Sequence, residues 1–264
     1  MKKLSFIMIA LVVLLAACGK QEDKQSDSKS NATDDKTLIV GTEGTYAPFT
    51  FHNKKGDLTG YDIEVTKAVA KEMGYQVKFK ETQWDSMFAG LDSGRFDMVA
   101  NQVGVNDERK KKYIFSEPYT YSEAVLVVGE NNKDIKSFDD VKGKKLAQTF
   151  TSNYGKLAKS KGAELTKVEG FNQAMDLLQS KRVEATFNDN VSYYDYKKQK
   201  PNAKIKAIKG NAEQSENAFV FSKKTDDVTV DKVNKALKKL RDNGELAKIS
   251  KKWFDKDVST PESK

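Results

Sequence analysis

The spacing of hydrophobic residues along this chain switches repeatedly between two and about three and a half, the signature of strands alternating with helices. Thr37-Leu38-Ile39-Val40-Gly41 predicts a short buried strand, and the loop Glu43-Gly44-Thr45-Tyr46-Ala47-Pro48-Phe49 follows it. Ile63, Val65, Ala68, Val69 and Met73 fall mostly on one helical face, and Gly74 stops that helix. Residues 76–81 alternate as a strand, 96–100 form an apolar one, and 124–128 a longer buried one. Beyond that point the pattern restarts, with strand 144–148, polar turn 149–153, helix 154–161, strand 164–168 and strand 183–187. Asn217-Ala218-Phe219-Val220-Phe221 predicts a returning strand. Two helices close the pattern, with Val230, Val233, Leu237 and Leu240 on one face, then Leu246, Ile249, Trp253 and Phe254 beyond Gly244. Such alternation argues for an α/β fold with mainly parallel sheets.

Eighteen residues, 84–101, overlie 171–188 without a gap, four positions being identical. Each copy reads as an N-cap (Asp85, Asn172), an amphipathic helix, a tight turn, a buried strand and a polar loop at the strand's carboxyl end. The copies are either two ordinary β-α-β pieces or the matching parts of two lobes. In the second case their loops face one cleft, because ligands of open α/β sheets sit at the carboxyl ends of the strands. Two crossings between lobes divide the chain into lobe 1 at 37–125 plus 220–264 and lobe 2 at 126–219.

Residues 1–36 stand outside this pattern. Lys2 and Lys3 precede a 14-residue uncharged stretch, too short to span a bilayer and of signal-peptide length. It ends in Leu15-Ala16-Ala17-Cys18, which resembles a lipobox, so 1–17 is expected to be a lipoprotein signal peptide and Cys18 a lipidated first residue. Two acyl chains there would anchor the protein stably at the membrane. Residues 18–36, rich in Lys, Asp, Ser, Gln and Asn, read as a flexible tether.

Removing 1–17 leaves 44 basic against 38 acidic residues, a balance of +6 spread as Lys among Asp and Glu. With no basic stripe and no interleaved aromatics, nucleic-acid binding is not expected. The single histidine, His52, lies in a polar turn, and no nucleophile elbow or phosphate-cradling glycine loop is present. One histidine and a lipidated cysteine do not make a zinc site. Neither catalytic residues nor a metal or other cofactor is expected.

Binding chemistry is better represented. Arg109 either belongs to the solvated charge run 107–112 or, on a helix beginning near Asn106, turns back to hold a carboxylate. Asp189, just past the second copy, is either an ordinary loop carboxylate or a partner for an ammonium group. Backbone N–H groups of 149–153 lie between a strand and a helix, where an anion can sit. Tyr46 and Trp84 are either core aromatics or walls for an apolar ligand stem.

Taken together, Gly41-Thr42-Glu43-Gly44-Thr45-Tyr46-Ala47-Pro48-Phe49, Gly60-Tyr61-Asp62-Ile63-Glu64, Asp107-Glu108-Arg109, Phe115-Ser116-Glu117-Pro118-Tyr119 and Lys251-Lys252-Trp253-Phe254 resemble the amino-acid-binding lipoproteins of bacterial ABC importers. The resemblance covers about 37–257 and implies the two-lobed type II periplasmic-binding-protein fold, with two crossover strands and the ligand in the interlobe cleft. Residues 81–91, Ala100-Asn101-Gln102-Val103-Gly104 and Thr151-Ser152-Asn153-Tyr154 are most similar to L-cystine-binding members. The resemblance implies that Arg109 holds the α-carboxylate, helped by backbone groups at Gly104 and Thr151. Asp189 holds the α-ammonium with Gln102 assisting, and Tyr46 and Trp84 pack the side chain. Asn101, Gln102 and Gly104 depart from the small hydroxyl residues of many relatives, and Glu43 replaces the usual aspartate. Cystine has a second amino-acid end, and Glu43 is the expected partner of its distal ammonium. The implied partners are a permease and its ATPase subunits, for a monomer anchored on the extracytoplasmic face of a Gram-positive type membrane. The alternatives are an enzyme on the same fold, dehydratase-like, with Glu43 as its general acid, or a binder of a different amino acid.

Overall fold

The computed structural model describes residues 36–210 and 214–261. The signal peptide, Cys18 and nearly all of the tether lie outside the described residues. The chain opens with strand β1 (Thr37–Thr42), a small sheet of β2 (Thr45–Tyr46), β3 (Thr50–His52) and β4 (Leu58–Thr59), and helix α1 (Tyr61–Met73). It continues with β5 (Gln76–Glu81), α2 (Trp84–Asp92), β6 (Met98–Gly104), α3 (Asp107–Lys112), β7 (Tyr113–Phe115), β8 (Thr120–Ser122) and β9 (Ala124–Gly129). Next come β10 (Lys145–Gln148), α4 (Asn153–Ser160), β11 (Glu164–Lys167), α5 (Phe171–Gln179), β12 (Ala185–Asp189), α6 (Asn190–Gln199) and β13 (Ile205–Lys209). Strand β14 (Ser215–Ser222) and helices α7 (Asp227–Asp242) and α8 (Glu245–Phe254) follow.

The strands form two large sheets, ordered β5-β1-β6-β14-β7 with β8 beside β14, and β11-β10-β12-β9-β13. The fold is the α/β architecture expected, but the sheets are mixed. β5, β1 and β6 run parallel, as do β11, β10 and β12, whereas β14 and β9 run antiparallel to their neighbours. β9 arrives directly from the other sheet across Glu123 alone, so no helix reverses its direction, and β14 is likewise preceded in the chain by a strand of the other sheet, β13.

Both sheets are covered on two faces, which is why strands β6 and β12 are buried along their whole length. Met98 and Ala100 of β6 face the core built by α1, α7 and α8, while Val99 and Val103 face Trp84, Met87 and Leu91 of α2. In β9, Val125 and Val127 pack on α5, and Leu126 and Val128 join Tyr154 and Ala158 of α4. Entry into α1 depends on Gly60, at φ 131°, where a Cβ would lie 2.1 Å from the Phe49 carbonyl oxygen. No described helix is long and apolar enough to cross a membrane.

The duplicated stretch corresponds to α2–β6 and α5–β12, one unit in each sheet. Two details differ from expectation. The helices begin two residues earlier, at Trp84 and Phe171, with Gln83 and Gly170 as N-caps in place of Asp85 and Asn172 and no side-chain cap. The polar ends, Asn101 to Gly104 and Asn188-Asp189, are also strand rather than loop, because β14 and β9 pair with them through Gly104↔Asn217 and Asp189↔Ala124.

Candidate functional site

The carboxyl ends of β1, β6, β10 and β12 enclose a cavity lined from both sheets. Glu43, Tyr46, Trp84, Asn101, Gln102 and Asp189, six of the nine residues expected to form a site, line it. Gly104, Arg109 and Thr151 lie outside that lining. Tyr154, Gln148 and Asn217 line it too. They escaped the sequence reading because a tyrosine on an amphipathic helix and amides in strands look like ordinary core and edge residues.

At one end stands Asp189, only 4% exposed. Its Oδ1 accepts from the Ser122 hydroxyl at 2.6 Å and the Tyr154 hydroxyl at 2.5 Å, and its Oδ2 lies 2.7 Å from the Tyr46 hydroxyl. Burial raises its pKa, and the three hydroxyls oppose that rise. These side-chain partners are all neutral, so the site holds a desolvated carboxylate without a cation of its own.

Arg109 supplies the opposite charge. It is not part of a solvated run, since it is only 6% exposed. The side chain of Asn106 accepts from the Arg109 backbone N–H at 2.9 Å, starting α3 there and sending Arg109 inward. The guanidinium lies 5.3 Å from the Trp84 ring centroid and 5.5 Å from that of Phe88. Nη1 donates to the Gly104 carbonyl at 2.9 Å, whereas the buried Nη2 has no partner. Burial lowers the pKa to about 10, with Glu108 opposing. A Cβ built on Gly104 would lie 3.5 Å from the amide nitrogen of the cavity-lining Asn153, and the guanidinium meets the cavity wall through the Trp84 ring rather than as part of the lining.

Between these ends β6 bulges. Val103 pairs with Ala218 and Val99 with Val220, so four steps of β6 span two of β14, and Gln102 takes a left-handed φ of 48°. A bulge of this kind re-aims side chains, here those of Asn101 and Gln102, at the cavity. Asn101 Oδ1 accepts from the Glu43 backbone N–H at 2.8 Å, and its Nδ2 donates to Glu43 Oε2 at 2.5 Å. Gln102 Oε1 is buried and unpartnered.

Burial pushes the Glu43 carboxyl up to about 7, aided by the charges of Glu169 and Asp85 and opposed by the Asn101 amide and the Trp84 N–H. Burial likewise raises Asp62 to about 6. Between their ordinary values and these raised ones, the folded protein binds protons that the unfolded chain releases, so raising the pH destabilises the fold. The ligand-free protein should therefore melt at a lower temperature at about pH 8 than at about pH 5, with a smaller difference in Glu43→Gln. Calorimetry of both proteins checks this; equal pH dependence would contradict it.

Along its rim the cavity is bridged by polar contacts between the sheets. The α2 residue Asp85 does not cap its own helix; it accepts from the Thr151 hydroxyl at 2.6 Å and from Lys167 Nζ at 2.9 Å. Lys156 pairs with Glu108, whereas the Lys198–Asp255 pair, at 2.8 Å, belongs to a separate cleft beside α6 and the end of α8. Thr151 thus reaches the rim rather than the cavity. His52, at the end of β3, is exposed and sits between the Gly56 carbonyl and Glu81.

A buried anion, a buried cation and a polar cavity between two bridged sheets suit capture of a small dipolar molecule, and the comparisons agree. The family description "Bacterial extracellular solute-binding proteins, family 3" matches residues 38–256. The L-cystine-binding protein TcyA of Bacillus subtilis (strain 168) is 51% identical over 271 residues, covering 98% of this chain and all of that protein. The L-cystine solute receptor of Neisseria gonorrhoeae, in its unliganded open conformation, is 48% identical over 86% of this chain and 96% of its own, with a TM-score of 0.59. An ancestral arginine-binding protein bound to arginine is 37% identical over 83% of this chain and 98% of its own, with a TM-score of 0.77. On this agreement of fold, cavity and sequence, the chain belongs to the bacterial extracellular solute-binding proteins of family 3.

Proposed function

We propose that this protein captures an α-amino acid, L-cystine, for an ABC importer by closing two lobes, one around each large sheet, over the ligand. The observation that carries the reading is the pair of incomplete buried charges. Arg109, packed on the cavity-lining Trp84, has a guanidinium nitrogen without a partner, and Asp189, in the lining itself, has a carboxylate whose side-chain partners are all hydroxyls. An α-carboxylate completes the first and an α-ammonium the second. Gln102 assists with its free amide oxygen, backbone N–H groups at Gly104 and Thr151 help the carboxylate, and Tyr46 and Trp84 pack the side chain.

L-cystine is favoured by the names of the relatives at 51% and 48% identity. Glu43 then meets the distal ammonium, which would draw its carboxyl to the ionised form. Glu43→Gln should weaken L-cystine binding more than binding of S-methylcysteine, which has no distal ammonium. Equal losses in titrations of the two would refute that role.

Closure is supported by shape. The receptor closer in sequence is in an open conformation and scores lower in structural similarity than the ligand-bound protein farther away in sequence. A change of angle between two similar lobes has that effect. The Asp85–Lys167 and Glu108–Lys156 bridges are those of a shut cleft.

The same reading makes the protein a monomer delivering its ligand to a permease and its ATPase subunits, without catalysis. It is held on the extracytoplasmic face through lipidated Cys18. Cys18→Ala should shift the protein from the membrane fraction to the medium, and unchanged fractionation would oppose the anchor. A thermal-shift screen of amino acids under non-reducing conditions tests the function. L-cystine should raise the melting temperature most, whereas no shift with any amino acid, or turnover of a screened compound, would overturn the reading.

A further inference from the structure

Asp62 is a fully buried carboxylate in the first turn of α1, and each of its oxygens accepts a hydrogen bond from Gln102. Oδ2 accepts from the Gln102 backbone N–H at 2.7 Å and Oδ1 from Gln102 Nε2 at 2.6 Å. Gln102 Nε2 also lies 3.0 Å from the Thr120 hydroxyl. Its amide nitrogen is therefore fully occupied, while Oε1, buried and without a partner, is the free end of a residue that lines the cavity. The clamp coincides with the left-handed φ of 48° at Gln102, a backbone state that costs a non-glycine residue free energy unless its surroundings hold it.

An amide group has a donor end and an acceptor end, and an ionised carboxylate can only accept. Asp62 consequently selects one of the two orientations of the Gln102 amide. We infer that Asp62 is a positioning residue for ligand binding: it holds Gln102 so that the amide oxygen, and not the NH2 group, is presented to the ammonium group of the bound amino acid. This rests on the amino-acid reading above. With the amide reversed, two sets of N–H donors would face each other, and the cavity would repel the group it is built to accept. Asp62 itself stays out of contact with the ligand, and its effect passes through Gln102.

A polarity swap tests the inference. Asp62→Asn keeps the volume but introduces a donor, freeing the Gln102 amide to reverse. L-cystine affinity should fall roughly tenfold or more. Gln102→Glu sets two carboxylates together and should weaken binding as well. In the double variant, the new asparagine accepts from the residue 102 backbone N–H and donates to the new glutamate, whose other oxygen faces the ligand. The Thr120 hydroxyl can turn to donate. Binding should return to within about threefold of the wild type, a rescue that general loosening of the core would not produce. Singles that bind like the wild type, or a double variant no better than either single, overturn the inference. Should a single variant fail to fold, a double variant that folds and binds supports the clamp, and one that also fails to fold opposes it. Wild-type protein that binds no amino acid would defeat the functional reading instead. Crystal structures of the ligand-free proteins would then decide the clamp alone: Gln102 leaving the left-handed region in Asp62→Asn supports it, and an unchanged φ opposes it.

Discussion

Arg109→Met should abolish amino-acid binding while leaving the ligand-free protein no less heat-stable than the wild type. The guanidinium is buried between Trp84 and Phe88, with one N–H group unsatisfied and its pKa lowered by burial. In the empty protein this is an uncompensated charge, and a linear apolar side chain of similar length fills the slot without that cost. In the complex the same charge meets the ligand carboxylate, and losing one partner of such a pair costs about 2–5 kcal/mol, roughly 30- to 5,000-fold in affinity. Titration with L-cystine and a thermal melt check the two halves separately. A retained ligand-induced shift would move the carboxylate site elsewhere, and a collapsed melting temperature would make Arg109 a structural residue.

Asp189→Asn carries the second large effect. The substitution keeps the shape, and the three hydroxyls around it can turn to donate to the new oxygen or accept from the new amide. The ligand-free melt should consequently move little. Ligand affinity should fall by about 2–4 kcal/mol, because an amide cannot replace a carboxylate facing a desolvated ammonium. The variant should also lose the ability to distinguish L-cystine from 3,3′-dithiodipropionate, the analogue without ammonium groups. Competition binding measures this, and undiminished discrimination would remove Asp189 from the ammonium site.

Much of the fold was legible because burial leaves a periodic trace. The strand at Gln76–Glu81 and the apolar faces of α7 and α8 follow from spacing alone, and the duplicated stretch located the two α-β units whose ends line the cavity. Other features left weaker traces. Helix α6 has no pronounced apolar face, and β2, β3 and β4 are only two or three residues long. The direction of β9 and β14 is set by which sheet the chain has just left, which no local pattern records.

In the site, residue types were readable and contacts were not. A charge run containing Asp107, Glu108 and three lysines hides Arg109, because the rotation that buries it depends on the Asn106 cap and on ring partners 21 and 25 positions earlier in the chain. Asp85 looks like a helix cap, yet its partners, Thr151 and Lys167, belong to the other sheet. Asp62 sits inside a recognisable motif without any hint that Gln102, forty positions away, donates to each of its oxygens. These roles arise only when distant segments meet at the strand ends.

Calorimetric titration of the wild-type protein with L-cystine, cystamine and 3,3′-dithiodipropionate tests the central claim most directly. Cystamine keeps the disulfide and the amines but lacks the carboxylates, and dithiodipropionate keeps the carboxylates but lacks the amines. Saturable one-to-one binding of L-cystine, with neither analogue binding measurably, is the result expected if Arg109 and Asp189 grip the two ends of a zwitterion. Comparable affinity for either analogue would contradict it.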